Sequence, residues 1–162
     1  MIDKEKKAVD YLVVKELKKK SLTISVAESC TGGKIASLIT STPGASLYFK
    51  GSLVCYSKSS KINILKVSKD LIDSKGLVSK EVASEMATNA KVFFNSNIAL
   101  SVTGNAGPKR GDLKKKIGTI FIAIAKSSGV KVYKFYFSGD RDNIINSTIK
   151  NSFNLLYEEL IK

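Results

Sequence analysis

Hydrophobic positions along the chain switch repeatedly between a helical and a strand-like period. Residues 3–20 place Ala8, Tyr11, Leu12, Val14 and Leu17 at mostly helical spacing, which predicts an amphipathic helix. Residues 22–27, rich in β-branched side chains, predict a strand that runs into Glu28-Ser29-Cys30-Thr31-Gly32-Gly33. A helix is expected over 34–41, stopped by Thr42-Pro43-Gly44. A short strand over 53–56 and a brief helix over 59–65 follow. Residues 77–95 predict a longer helix that opens with Ser79 as its cap. Residues 98–103 predict a strand leading into Gly104-Asn105-Ala106-Gly107-Pro108. After a polar excursion over 109–116, residues 118–126 and 130–137 predict an antiparallel hairpin. Residues 140–162 predict a terminal amphipathic helix. Strands alternating with helices, closed by a late hairpin, point to an α/β fold. The expected architecture is a three-layer α/β/α sandwich with a mixed sheet, one domain over 1–162.

Composition narrows the chemistry. The 162 residues include no histidine, which excludes Ser-His-Asp and Cys-His nucleophile systems and His-ligated metals. Cys30 and Cys55 form no CxxC and are expected to be small, buried, free thiols, so no metal site is expected. Lys+Arg number 27 against 14 Asp+Glu, a net charge of +13, yet Arg110 and Arg141 are the only arginines. Most of the lysines are scattered. That distribution argues against specific nucleic-acid binding, which leans on arginine, and leaves attraction of small anionic substrates. The apolar runs are too short for a membrane span, and the first seven residues lack the apolar core of a signal peptide, so a cytoplasmic protein is expected.

Three expected strand ends carry small polar residues: 27–33, 56–61 and 103–108. If those strands are parallel neighbours, the three loops converge beyond their carboxyl ends, where open α/β sheets bind ligands. The first loop places backbone N–H groups at a helix start, suited to a phosphate or to the oxyanion of acyl transfer. A tight turn capped by Thr31 or Ser29 explains the same residues. Without histidine, Ser29 could be activated by a lysine of lowered pKa, and Lys61 is the candidate, with Tyr56 near enough in sequence to relay or donate a hydrogen bond. A surface lysine is the competing reading of Lys61.

The segment Ala27-Glu28-Ser29-Cys30-Thr31-Gly32-Gly33 resembles the signature of the CinA C-terminal domain family, which includes nicotinamide-nucleotide amidases. The likeness continues through Pro43-Gly44-Ala45-Ser46, Tyr56-Ser57, Lys61, Thr103-Gly104, Ala106-Gly107-Pro108, Gly118-Thr119 and Gly139-Asp140-Arg141. The resemblance implies hydrolysis of nicotinamide mononucleotide to nicotinate mononucleotide and ammonia, without a cofactor. It implies Ser29 as nucleophile, Lys61 as its base and Tyr56 as an assisting group. Glu28, Thr31, Gly32, Gly33, Thr103, Gly104, Asn105, Gly107 and Arg141 are the expected substrate contacts. A homo-oligomer is also implied, without the N-terminal domain of larger members. Two departures stand out. Asn105 replaces a small apolar residue, and Lys109-Arg110-Gly111-Asp112 with three lysines replaces a glycine-rich stretch. A catalytically silent nucleotide-binding module is therefore the alternative, and a basic nucleic-acid accessory protein the more distant one.

Overall fold

The computed structural model describes residues 4–162, with side chains from residue 9 onward; residue 3 of the first predicted helix lies outside the described residues. In chain order the elements are α1 (Lys4–Lys19), β1 (Ile24–Glu28), α2 (Lys34–Thr40), β2 (Phe49–Val54), α3 (Lys58–Asn63), α4 (Lys69–Lys75), α5 (Lys80–Phe93), β3 (Ile98–Gly104), β4 (Thr119–Lys126), β5 (Gly129–Tyr136) and α6 (Arg141–Ile161). The sheet order is β2-β1-β3-β4-β5. The β1 strand pairs in parallel with β2 and β3, and the β4–β5 hairpin completes the sheet antiparallel. The sandwich is the mixed one that the alternation of periods predicts.

The two faces of the sheet are built from different residues. Ile120, Ile122 and Ile124 alternate along β4 with Phe121, Ala123 and Ala125. The isoleucines join Val26, Leu100 and Val102 in a core with α1, α2 and α6. The opposite face is mostly small: Ala27, Ala99, Ala123 and Ala125 pack with Ala83, Met86, Ala87 and Ala90 of α5. Small residues on both partners bring the helix backbone close to the sheet. The Ser101 hydroxyl consequently donates to the Ala83 carbonyl at 2.6 Å, and the Ser25 hydroxyl to the Ala90 carbonyl at 3.3 Å. Just before the helix, Thr103 donates to the Leu77 carbonyl at 3.0 Å. These bonds fix the approach to α5 relative to the end of β3, where the cavity opens.

Local signals explain most boundaries. The Ser79 side chain accepts from the Val82 N–H and starts α5, as the sequence predicts. A capping box between Ser57 and Ser60 starts α3 one residue earlier than expected. The β2 strand covers 49–54 rather than 53–56. Its pairing with β1, from Ile24 opposite Phe49 to Glu28 opposite Val54, sets that span. The α4 helix has no counterpart in the predicted elements, because Ile72 is its one buried residue and leaves little apolar periodicity.

The close approach of α5 makes the small face intolerant of bulk. Ala123→Leu should destabilise the protein by about 1–3 kcal/mol, since added methylenes must displace α5. Urea unfolding should show a lower midpoint with an unchanged m-value.

Candidate active site

The β1, β2 and β3 strands are parallel neighbours, so the loops that follow them meet at one end of the sheet. There they line a cavity of about 360 Å³ with Ser29, Cys30, Tyr56, Lys61 and the segment 103–111, together with Leu77, Val78 and Arg141. The conditional convergence of the three loops is realised.

At its centre the Lys61 Nζ lies 2.8 Å from the Ser29 Oγ and 2.6 Å from the Cys55 carbonyl oxygen. The lysine is 2% exposed and the serine 8%. Helix α3, started by its capping box, carries the side chain inward. Burial pulls the Lys61 pKa down from 10.5 to about 8, opposed by the nearby Cys55 and Cys30 thiols. A fraction of the amine is thus neutral near physiological pH and able to accept a proton. Cys30 is adjacent to Ser29 in the chain, but burial pushes its pKa up to about 11. It remains a thiol at neutral pH, and the hydroxyl within hydrogen-bond reach of the lysine is that of Ser29.

Backbone contacts hold this pair. The Cys55 N–H donates to the Glu28 carbonyl at 2.8 Å, while the Cys55 carbonyl receives Lys61. The loop after β2 is thereby tied to the end of β1 on one side and to the amine on the other.

Glu28 does a different job from the substrate contact expected of it. Its side chain is fully buried and does not line the cavity. Its carboxylate accepts from the Thr31 hydroxyl at 2.7 Å and from the N–H groups of Gly33, Ile35 and Ala36 at 3.1, 3.1 and 2.9 Å. Oε2 takes the first three of these donors and Oε1 the Ala36 N–H, so both carboxylate oxygens are engaged. Glu28 shapes the Ser29–Gly33 turn and caps α2. Thr31, Gly32 and Gly33 likewise stand outside the cavity lining. The Gly32 N–H is taken by the Ser29 carbonyl at 3.1 Å. Both glycines sit at positive φ, 59° and 93°, so they make the turn rather than open it to a ligand.

Thr103, Gly104, Asn105, Gly107 and Arg141 do border the cavity. Arg141 opens α6 and bridges the mouth: its Nη1 donates to the Gly107 carbonyl at 2.8 Å and its Nη2 to the Tyr56 Oη at 3.0 Å. Tyr56 is 59% exposed and forms this bond at the rim. The Asn105 side chain is committed to the segment 109–116. Sequence reasoning leaves out Leu77 and Val78, which line the cavity only because the chain returns to it, whereas Lys109 and Arg110 belong to the segment that departs from the family pattern. Among the described residues no cluster of three or more His, Cys, Asp or Glu could hold a metal, and no helix is long and apolar enough to cross a membrane.

The family model of the CinA C-terminal domain matches residues 6–160. The chain belongs to the CinA family. A CinA-like protein of Flavobacterium psychrophilum is 45% identical over 158 residues, covering 98% of this chain and 38% of its own. A CinA-like protein of Fervidobacterium nodosum is 44% identical over 160 residues, with 99% and 38% covered. The chain thus spans well under half the length of these curated relatives. Among solved structures, a competence/damage inducible protein from Agrobacterium tumefaciens superposes with a TM-score of 0.92 at 28% identity, covering 100% of this chain and 99% of that one. A CinA superfamily protein from Enterobacter cloacae gives 0.90 at 26% identity, covering 94% and 90%.

Two measurements probe this geometry. The lowered pKa of Lys61 means the unfolded chain binds more protons than the native one between about pH 8 and 10.5, so native stability rises with pH across that window. Relative to Lys61→Met, the wild type should gain roughly 3 kcal/mol over those pH values in chemical unfolding. Glu28→Gln should cost about 1–3 kcal/mol, because an amide cannot accept from donors on both of its atoms. Loss of stability in that variant would be read from the unfolding midpoint.

Proposed function

We propose that the chain is a serine amidohydrolase that converts nicotinamide mononucleotide and water to nicotinate mononucleotide and ammonia. The observation that carries this reading is the 2.8 Å contact between the Ser29 hydroxyl and a buried Lys61 amine whose pKa is about 8. Family membership supports it, since the signature around Ser29 is one that resembles nicotinamide-nucleotide amidases.

In the proposed reaction the neutral Lys61 amine takes the Ser29 proton as Oγ attacks the carboxamide carbon. The carbonyl oxygen becomes an oxyanion, for which the Cys30 N–H beside Ser29 is the donor we assign; the Gly32 and Gly33 N–H groups are already taken. Collapse of this intermediate breaks the carbon–nitrogen bond. The proton on Lys61 leaves with ammonia, and the carbonyl carbon stays on Ser29 as an ester. Water then attacks the ester, giving its proton to Lys61, and release of the carboxylate restores the serine hydroxyl. Tyr56 accepts from Arg141, which leaves its own hydroxyl proton for a substrate oxygen at the rim.

An ammonia-release assay with nicotinamide mononucleotide decides the matter. Ser29→Ala should lower turnover by about three orders of magnitude or more with the fold intact. The wild-type kcat/KM should climb with pH and level off above about 8, where Lys61 is neutral in the free enzyme. Turnover in Ser29→Ala equal to wild type overturns the assignment. Tight mononucleotide binding without ammonia release would instead establish the silent binding module.

A further inference from the structure

The two departures from the family pattern form one structural unit. Asn105 lies buried at the end of β3, and its side chain is spent on the segment 109–116. Its Oδ1 accepts from the Asp112 N–H at 3.0 Å, while its Nδ2 donates to the carbonyls of Asp112 at 2.8 Å and Lys115 at 3.0 Å. A small apolar side chain at 105 could form none of these bonds. Asp112, itself buried, fastens the segment on its other side. Its Oδ2 accepts from the Val78 N–H at 2.8 Å and its Oδ1 from the Lys114 N–H at 2.8 Å. The carboxylate lies so close to Gly76 that a Cβ there would collide with Oδ2, so a side chain at 76 would evict it. Asn105, Asp112 and the space left by Gly76 latch the segment between β3 and the start of α5.

The latch has an electrostatic result. The held segment contributes Lys109, Arg110 and Gly111 to the cavity wall, where Arg141 already stands. No carboxylate lines the cavity, and among the described residues none of these three cations forms an ion pair. Arg141 has one nitrogen on the Gly107 carbonyl and another on Tyr56, which ties it to the rim. Arg110 is held more lightly, with Nη1 on the Leu113 carbonyl at 3.3 Å. Lys109 and Arg110 are solvent-exposed at the cavity wall, where their cationic groups are open to an anionic ligand. A guanidinium fork and an ammonium at one mouth suit a phosphate monoester.

We propose that Arg110 and Lys109 receive the phosphate of the ligand, and that Asn105 and Asp112 are positioning residues that hold them at the mouth. This segment sets the preference for a phosphorylated nucleotide over the nucleoside. The identity of the amide end rests on the amidase reading; recognition of the phosphate does not.

Binding measured without turnover separates the two. In a Ser29→Ala background, calorimetry compares nicotinamide mononucleotide, nicotinamide riboside and ribose 5-phosphate. The parent should favour the mononucleotide over the riboside by about tenfold or more, and more strongly at low salt. Arg110→Ala should weaken the mononucleotide and ribose 5-phosphate at least about tenfold while the riboside changes less than about twofold. Asn105→Val removes no charge yet should reproduce most of that loss, with circular dichroism and melting confirming a folded protein. Should Asn105→Val fail to fold, Asp112→Asn, which keeps its size, carries the same expectation. A parent indifferent to the phosphate, or an Arg110→Ala variant that weakens all three ligands equally, overturns the phosphate assignment. An intact nucleotide preference in the folded latch variant overturns the positioning role. Phosphate-dependent binding with no ammonia release from the wild type would refute the amidase reading and leave this one standing.

Discussion

A lysine amine withdrawn from water, with a serine hydroxyl and a backbone carbonyl as its hydrogen-bond partners, is the constraint around which the rest of this domain is arranged. An ammonium in that position loses hydration that no neighbouring carboxylate returns, and so its proton is held loosely. A carboxylate beside it would make the ion more comfortable and the amine a poorer base. The cavity wall accordingly contains an amide, hydroxyls, one thiol, cations and apolar groups, and no acid.

The acids are elsewhere, and one of them orders the turn around Ser29. Glu28 precedes Ser29 and gathers the donors of the turn that follows it. By drawing three N–H groups and a hydroxyl to itself, it decides the path of the backbone around Ser29 and the direction in which α2 leaves. The same economy appears at the far end of the molecule. Buried Glu159 on α6 collects Lys126, Lys131, Lys162 and the Tyr133 hydroxyl, joining the last helix to the hairpin. Its pKa is driven far below the ordinary carboxylate range by those donors, which outweigh its burial. In both places a buried carboxylate organises several donors; around Lys61 the design is reversed.

Periodicity made the layers legible from the residues alone, because β3 and β4 alternate between two buried faces and α5 and α6 carry long apolar stripes. The loops were legible as chemistry because small polar residues cluster after three strands. Contacts across the sequence were not. Nothing near Glu28 distinguishes a residue that touches ligand from one that shapes the turn, since both sit one position before a serine. Lys61 resembles the other lysines of a lysine-rich chain until the carbonyl of Cys55 and the hydroxyl of Ser29 are brought to it. Asn105 and Asp112 looked like two separate oddities, seven residues apart. Their relation exists only as hydrogen bonds between a strand end and a loop that comes back over it.

That loop is closed at its base by the sheet itself. The Asn105 N–H donates to the Thr119 carbonyl at 3.0 Å and the Gly118 N–H to the Asn105 carbonyl at 2.7 Å, so residues 106–117 leave and rejoin the fold through a fixed neck. With its two ends pinned, an excursion of this kind can change length at an entropic cost that grows only with the logarithm of its size. Apart from Ala106, which sits in the core, and the buried Asp112, its residues take little part in the sandwich. The domain holds Ser29 on the turn after β1 and Lys61 on α3, while the segment that closes the cavity wall is anchored separately, by its neck and by Asn105 and Asp112.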